Sequence, residues 1–217
     1  MERGPPTEVS GVARAVECLE RLRPHLVCGD IAVTGSLALH HHMQNAGLLP
    51  SRAVLDLDLV ATTPSGIAPS AAIDFLVSHY HLPTLGSGKF FIQLVDPASG
   101  VRVDVLPDLE DSVSRAAPES FGAVSVCLVE AADLFDHKLQ TLRKASCNLP
   151  VDPKHLEDAR ALGRLLDREV PDVPPDHLAR DQYRSDPTHR CVRCHESRSP
   201  EFPLAPKQEI FALLGFV

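Results

Sequence analysis

An α+β fold, in which a mixed sheet flanked by helices precedes a helical region and a Pro-rich tail, is what this sequence predicts. Three observations predict it. Short β-branched or apolar runs recur at Ile31 to Thr34, Ala53 to Ala61, Lys89 to Val95, Val101 to Leu106 and Val124 to Val129, each bounded by turn residues. After Glu130 the apolar period becomes helical and stays so. Beyond Val170 the composition shifts, with Pro171, Pro174, Pro175, Pro187, Pro200, Pro203 and Pro206 punctuating the rest.

Taken in order, residues 1 to 7 read as disordered, with Gly4-Pro5-Pro6 as the breaker. From Glu8 to about Leu22, Val9, Val12, Val16, Leu19 and Leu22 recur at helical spacing, and the helix ends before Pro24. The run Ile31-Ala32-Val33-Thr34 breaks at Gly35-Ser36 into a helix that ends near Gly47, and Pro50 keeps it from resuming. Ala53 to Ala61 is extended, with Asp56 and Asp58 set among Val54, Leu55, Leu57 and Leu59. Thr62 to Ser70 is a loop, and Pro69 or Ser70 opens a helix through Ala72, Ile73, Leu76 and Val77 to about Tyr80.

An irregular segment, residues 81 to 88, leads to two strands, Lys89 to Val95 and Val101 to Leu106, joined as a hairpin by Asp96-Pro97-Ala98-Ser99-Gly100. Asp108 to Ala116 predicts a short helix and Val124 to Val129 a buried strand. Two longer helices follow. The first carries Leu134, Lys138 and Leu142 on one row with Phe135 and Leu139 on another. The second runs from Pro153 to about Arg168 through Leu156, Ala159, Leu162 and Leu166, with Asp152-Pro153 as cap and first turn. Pro206 to Val217 predicts an apolar terminal helix docked on the body. The expected division is a core over residues 1–130, a helical region packed on it over 131–170, and a tail over 171–217.

At 217 residues the chain is long enough for one sizeable core, and 44% hydrophobic with 23% charged residues is ordinary for a globular protein. No apolar run is long enough to cross a bilayer and the amino terminus MERGPPTEVS lacks a leader pattern, so a cytoplasmic protein is expected. A formal charge of −8 argues against broad electrostatic binding to nucleic acid. Six cysteines without a signal sequence read as thiols or metal ligands, not as a disulfide framework.

The chemistry concentrates in Val33 to Val60. Successive strand side chains point to opposite faces, so Asp56 and Asp58 share one face, about 7 Å apart along the strand. Asp is depleted in strands, and two inside a Leu/Val-rich run need something positive between them. Asp104, inside Val101-Arg102-Val103-Asp104-Val105-Leu106, is a third acid in the same setting. Magnesium meets that need, because it binds through one or two carboxylates plus substrate phosphates.

These residues, Gly35-Ser36, then Asp56-Leu57-Asp58, then Asp104, resemble the nucleotidyltransferase superfamily of polymerase-β-like fold. The resemblance is nearest to minimal bacterial enzymes related to abortive-infection toxins. Arg52, four residues before Asp56, fits the basic residue such proteins often carry ahead of the acidic pair. One departure is that nineteen residues separate Ser36 from Asp56, more than the usual spacing, and they include His40-His41-His42. The resemblance implies that Asp56 and Asp58 hold two magnesium ions against a nucleoside triphosphate. It also implies that Asp104 completes the shell of the first ion and acts as, or near, the base for an acceptor hydroxyl. The backbone N–H groups and hydroxyl at Gly35-Ser36 would cradle the triphosphate at a helix amino terminus, where the dipole favours anions. Lys138 and Lys154 would contact its phosphates by the same resemblance. The plainer reading of Lys154 and Asp158, four apart on a helix, is a solvated ion pair.

Three further motifs need weighing. Gly86-Ser87-Gly88-Lys89 lacks the earlier glycine, the following Ser or Thr and the following helix of a Walker loop, so that reading is rejected. His40, His41 and His42 cannot chelate one ion from a regular helix, because adjacent residues point in different directions; one is expected to pack inward and the others to face solvent. His40 is placed to lie near the acidic strands. In the tail, His189-Arg190-Cys191-Val192-Arg193-Cys194-His195 contains half of a tetrahedral zinc site. Cys191 and Cys194 with His189 or His195, and His177 as a distant option, make a candidate structural zinc site; free thiols or a disulfide are the alternative.

The expected function is magnesium-dependent transfer of a nucleoside monophosphate from a nucleoside triphosphate, ATP included, to a hydroxyl acceptor on a tRNA end, a protein or a small molecule. The alternatives are a binding module of the same fold without turnover, or a toxin-like protein with a cognate antitoxin-like partner.

Overall fold

The computed structural model describes residues 11–50, 52–81, 90–108, 110–145 and 151–178. Along the chain come α1 (Gly11–Leu22), β1 (Ile31–Thr34), α2 (Gly35–Asn45), β2 (Asp56–Ala61), α3 (Ala71–Asp74), β3 (Leu76–His81) and β4 (Phe91–Val95). They are followed by β5 (Arg102–Pro107), α4 (Ser112–Arg115), β6 (Ala117–Phe121), β7 (Val124–Leu128), α5 (Ala131–Arg143) and α6 (Lys154–Leu166). The strands form one seven-stranded sheet in the order β3-β4-β5-β2-β1-β7-β6. It is mixed: β2 runs parallel to β5 and β1 parallel to β7, while the other neighbours are antiparallel. This is the α+β architecture that the sequence predicts.

Alternation explains why β2 and β5 lie at the centre. Leu57, Leu59, Val103 and Val105 on one face are fully buried. Each such side chain contributes roughly 1.5–3 kcal/mol relative to exposure, which anchors both strands against the core. Asp56, Asp58, Arg102 and Asp104 occupy the opposite face and are half-buried. In α1 the spacing of Ala15, Cys18, Leu19 and Leu22 places a single apolar stripe in the same core. The rows expected on α5 are both buried, since Leu134, Phe135, Lys138, Leu139 and Leu142 all face inward. A smaller cluster of Leu142, Val151, Leu156 and Ala159 ties α5 to α6.

Three expectations need correction. The helix expected to reach Tyr80 is a single turn, Ala71–Asp74, and the chain then leaves as edge strand β3. Ala72, Ile73, Leu76 and Val77 match a helical period, yet Ile73 is 63% and Leu76 46% exposed. Phe75, Val77 and His79 are the buried residues, a period of two, and β3 pairs with β4 from Leu76↔Val95 to His81↔Phe91. Backbone pairing to an existing sheet outweighs a short local helical pattern. Likewise, the helix expected over Asp108 to Ala116 shrinks to Ser112–Arg115, and β6 follows it, paired antiparallel with β7. Finally, β2 starts at Asp56 and not at Ala53, and Leu55 stands 77% exposed.

The His189, Cys191, Cys194 and His195 motif and the helix expected over Pro206 to Val217 lie outside the described residues. His177 lies within them, in a 3-10 turn, Pro175–His177. Among the described residues, no helix is long and apolar enough to cross a membrane.

Candidate metal centre and its cationic wall

Parallel pairing of β2 and β5 sets Asp58 opposite Asp104 and Asp56 opposite Arg102. Because the side chains alternate, all four project from the same face. One carboxylate oxygen from each of Asp56, Asp58 and Asp104 lies within 4.8 Å of the others. An all-oxygen, all-anionic donor set of this kind suits a hard divalent cation such as magnesium or manganese.

The electrostatics point the same way. Burial, reinforced by Asp56 and Asp104, pushes the Asp58 carboxyl up to about 6. Asp104 is also raised by burial, although the amide of Gln93 donates a 2.8 Å hydrogen bond to it and Arg102 lies beside it. Asp58 and Asp104 are thus under-neutralised by their surroundings.

The corner between β1 and α2 closes on this cluster. Thr34 is the strand partner of Asp58, and the next residue, Gly35, has φ +66. A Cβ on Gly35 would lie 1.9 Å from Asp58 Oδ2, so only glycine fits both the backbone turn and the neighbouring acid. Thr34 makes no side-chain capping hydrogen bond to α2. The first N–H groups of that helix therefore receive no partner from its cap residue. Ser36 Oγ is buried and has no hydrogen-bond partner among the described residues.

The opposite wall is cationic, and α5 and α6 build it with the segment before β2. Arg52 donates to Asp158 through Nε at 2.8 Å and Nη2 at 3.0 Å. Lys138 Nζ reaches the same carboxylate at 2.9 Å. Burial alone would raise the fully buried Asp158 carboxyl, but Arg52 and Lys138 outweigh it and hold the group below the usual carboxylate range. Asp158 is thus not the partner of Lys154 in a solvated pair. Lys154 instead lines the cleft and makes no ion pair with a described residue. Beside it, His155 is pushed down to about 4, first by burial and then by Lys138 and Lys154. It is neutral at pH 7, and its Nδ1 is buried without a hydrogen-bond partner among the described residues. Acids, Gly35 corner and cations enclose a cleft of about 160 Å³.

The sequence-predicted residues Gly35, Arg52, Asp56, Asp58, Asp104, Lys138 and Lys154 therefore meet around one cleft. Ser36 sits at its corner. The histidine run does not join them. His41 Nε2 contacts Glu119 at 3.2 Å and His42 Nε2 the carbonyl of Val129 at 2.8 Å. All three are half-buried, so the expected split into one inward and two solvent-facing rings is not what forms. Sequence reasoning missed Arg102, Gln93 and His155. Arg102 was legible as the same-face neighbour of Asp104, but Gln93 needed the β4–β5 register and His155 carried no signal beyond its place beside Lys154.

No protein-family model and no curated protein matches this sequence. Among solved structures, the chain is similar to an antigenic nucleotidyltransferase-like protein from Paracoccidioides brasiliensis, at 17% identity and TM-score 0.43, over 79% of this chain and 82% of that one. It is similar to the Megavirus polyadenylate synthase at 9% identity and TM-score 0.40, over 77% of this chain but 35% of that one. A third similarity is to JHP933 from Helicobacter pylori, at 14% identity and TM-score 0.34, over 70% of this chain and 63% of that one. The chemistry rests on this chain's own residues: a seven-stranded mixed sheet brings three carboxylates together beneath a Gly-Ser corner.

Proposed function

We propose that this protein is a divalent-metal-dependent nucleotidyltransferase: an acceptor hydroxyl loses its proton and bonds to the α-phosphorus of a nucleoside triphosphate, the α–β phosphoanhydride bond breaks, and pyrophosphate leaves. The observation that carries the reading is the convergence of Asp56, Asp58 and Asp104 across a cleft from Lys138 and Lys154. Nucleotidyl transfer needs little covalent chemistry from a protein. It needs charge neutralisation at phosphate oxygens and alignment of nucleophile with leaving group. Bound magnesium would supply the neutralisation, held by the carboxylates of Asp56, Asp58 and Asp104.

The remaining work falls to the chain's own groups. Lys154 supplies a cation not committed to another described side chain, and Lys138 presents a second one fixed by Asp158. The N–H groups at the start of α2 and the Ser36 hydroxyl offer donors to an anion. Asp104, oriented by the hydrogen bond from Gln93, is assigned as, or near, the proton acceptor for the acceptor hydroxyl. In this reading residues 1–130 furnish the three metal-holding acids and residues 131–170 the two lysines. Arg52 is placed to brace the cationic wall through Asp158 while bordering the same cleft.

The test is to incubate the purified protein with each α-labelled nucleoside triphosphate, magnesium and a cell extract, then to identify the labelled product. Transfer that requires magnesium and is lost in the double variant Asp56→Asn, Asp58→Asn is the expected result. Label transfer that persists in that variant, or metal and nucleotide binding that it leaves untouched, overturns the assignment.

A further inference from the structure

Two arginines border the cleft, and they are held differently. Arg52 makes two aligned hydrogen bonds to one carboxylate, both at or below 3.0 Å, and its side chain is 20% exposed. Arg102 makes one hydrogen bond, from Nη2 to Asp56 Oδ2 at 2.7 Å. Its Nε lies 3.2 Å from Asp104 Oδ2, within ion-pair reach, but this buried N–H finds no aligned acceptor. The guanidinium fork that would pair with a single carboxylate is split between two acids and leaves one donor unspent. Its side chain is 40% exposed, so a path to solvent is open.

The position of Arg102 explains what it is doing there. It is the strand partner of Asp56 and lies two residues before Asp104, so its side chain emerges between the two acids that carry the candidate metal site. Three carboxylates with oxygens this close repel one another unless a cation stands among them. Arg102 is the one arginine or lysine that forms ion pairs with members of this cluster among the described residues. A divalent ion would require the same oxygens.

We infer that Arg102 is an internal counter-ion of the metal-free protein, bridging Asp56 and Asp104, and that it must release them for a divalent cation to bind. The inference rests on the divalent-metal reading of these acids. A metal that binds only the released form has its apparent affinity lowered by the fraction of molecules in that form. Arg102 thereby sets the metal concentration at which the site fills and positions both acids before it does.

Manganese binding to the nucleotide-free protein, followed by electron paramagnetic resonance, tests this directly. Arg102→Gln is expected to bind Mn2+ about tenfold more tightly than wild type, as if a form populated at about one part in ten had become dominant. Lys154→Gln is the control, since it removes a positive charge from the same cleft without breaking an ion pair, and only a two- to threefold gain is expected from it. Should Arg102→Gln not fold, Arg102→Lys keeps the charge but cannot fork across both acids, and it too is expected to bind more tightly than wild type. As a second readout, the Nε–H resonance of Arg102 in wild type is expected to shift when Mg2+ is added. If wild type binds Mn2+ and Arg102→Gln gains no more than Lys154→Gln, the counter-ion role is wrong while the metal reading stands. If neither wild type nor Arg102→Gln binds Mn2+, the metal reading fails and this inference with it.

Discussion

Arg52 and Asp158 are separated by 106 positions in the chain, yet they meet in a two-bond ion pair at 2.8 and 3.0 Å. Lys138 joins them from α5, so one fully buried carboxylate ties α5, α6 and the approach to β2 together. The strand that carries the acids is thereby fixed against the helices that carry the cations.

Replacing Asp158 with Asn is expected to be strongly destabilising, because it leaves Arg52 and Lys138 without their shared buried anion. Breaking a buried pair by removing one partner costs on the order of 3–5 kcal/mol. Urea denaturation should show a midpoint lowered by that energy divided by an unchanged slope. A loss below about 1 kcal/mol would mean that the triad contributes little.

Gly35→Ala is expected to abolish Mn2+ binding while leaving a folded but less stable protein. The new methyl would meet Asp58 Oδ2 at 1.9 Å, and φ +66 is strained for any residue with a Cβ. Circular dichroism and metal titration of the same sample separate the two effects.

Asp58→Asn is expected to stabilise the metal-free protein at pH 8. The folded-state carboxyl is raised from 3.8 to about 6, so the favourable contribution of its proton is complete below pH 3.8 and is lost as pH rises through about 6. A shift of that size corresponds to as much as about 3 kcal/mol. Denaturation between pH 4 and pH 7 should show this slope in wild type and its absence in the variant. Metal affinity should run the opposite way, falling as pH drops below about 6, because the ion competes with the proton.

His155 titrates with the contrary sign. Its folded-state pKa is depressed from 6.5 to about 4, so the stability that it contributes is present above 6.5 and is lost as pH falls toward 4. His155→Gln is expected to lack that acid-side loss. Its stability difference from wild type should therefore change steadily between pH 6.5 and pH 4. A difference that stays constant across that window would contradict the assignment of a neutral, cation-flanked ring.

Period alone determined a good deal. Alternation put Asp56 with Asp58 and Arg102 with Asp104 on common strand faces, the Gly35-Ser36 break marked the strand-to-helix corner, and the helical rows of α5 and α6 were readable before any contact was known. Such patterns are local, since a side chain's face follows from its own backbone geometry over a few residues. Tertiary structure decided everything that depends on which segments become neighbours. The parallel β2–β5 register brought Asp58 opposite Asp104, and an existing sheet edge drew Leu76–His81 into a strand despite its helical spacing. Asp158 found Arg52 and Lys138 in place of the lysine four residues away on its own helix. Pairing register and buried ion partners are chosen by burial and hydrogen-bond satisfaction over long separations, and a one-dimensional pattern does not encode which distant segment supplies them.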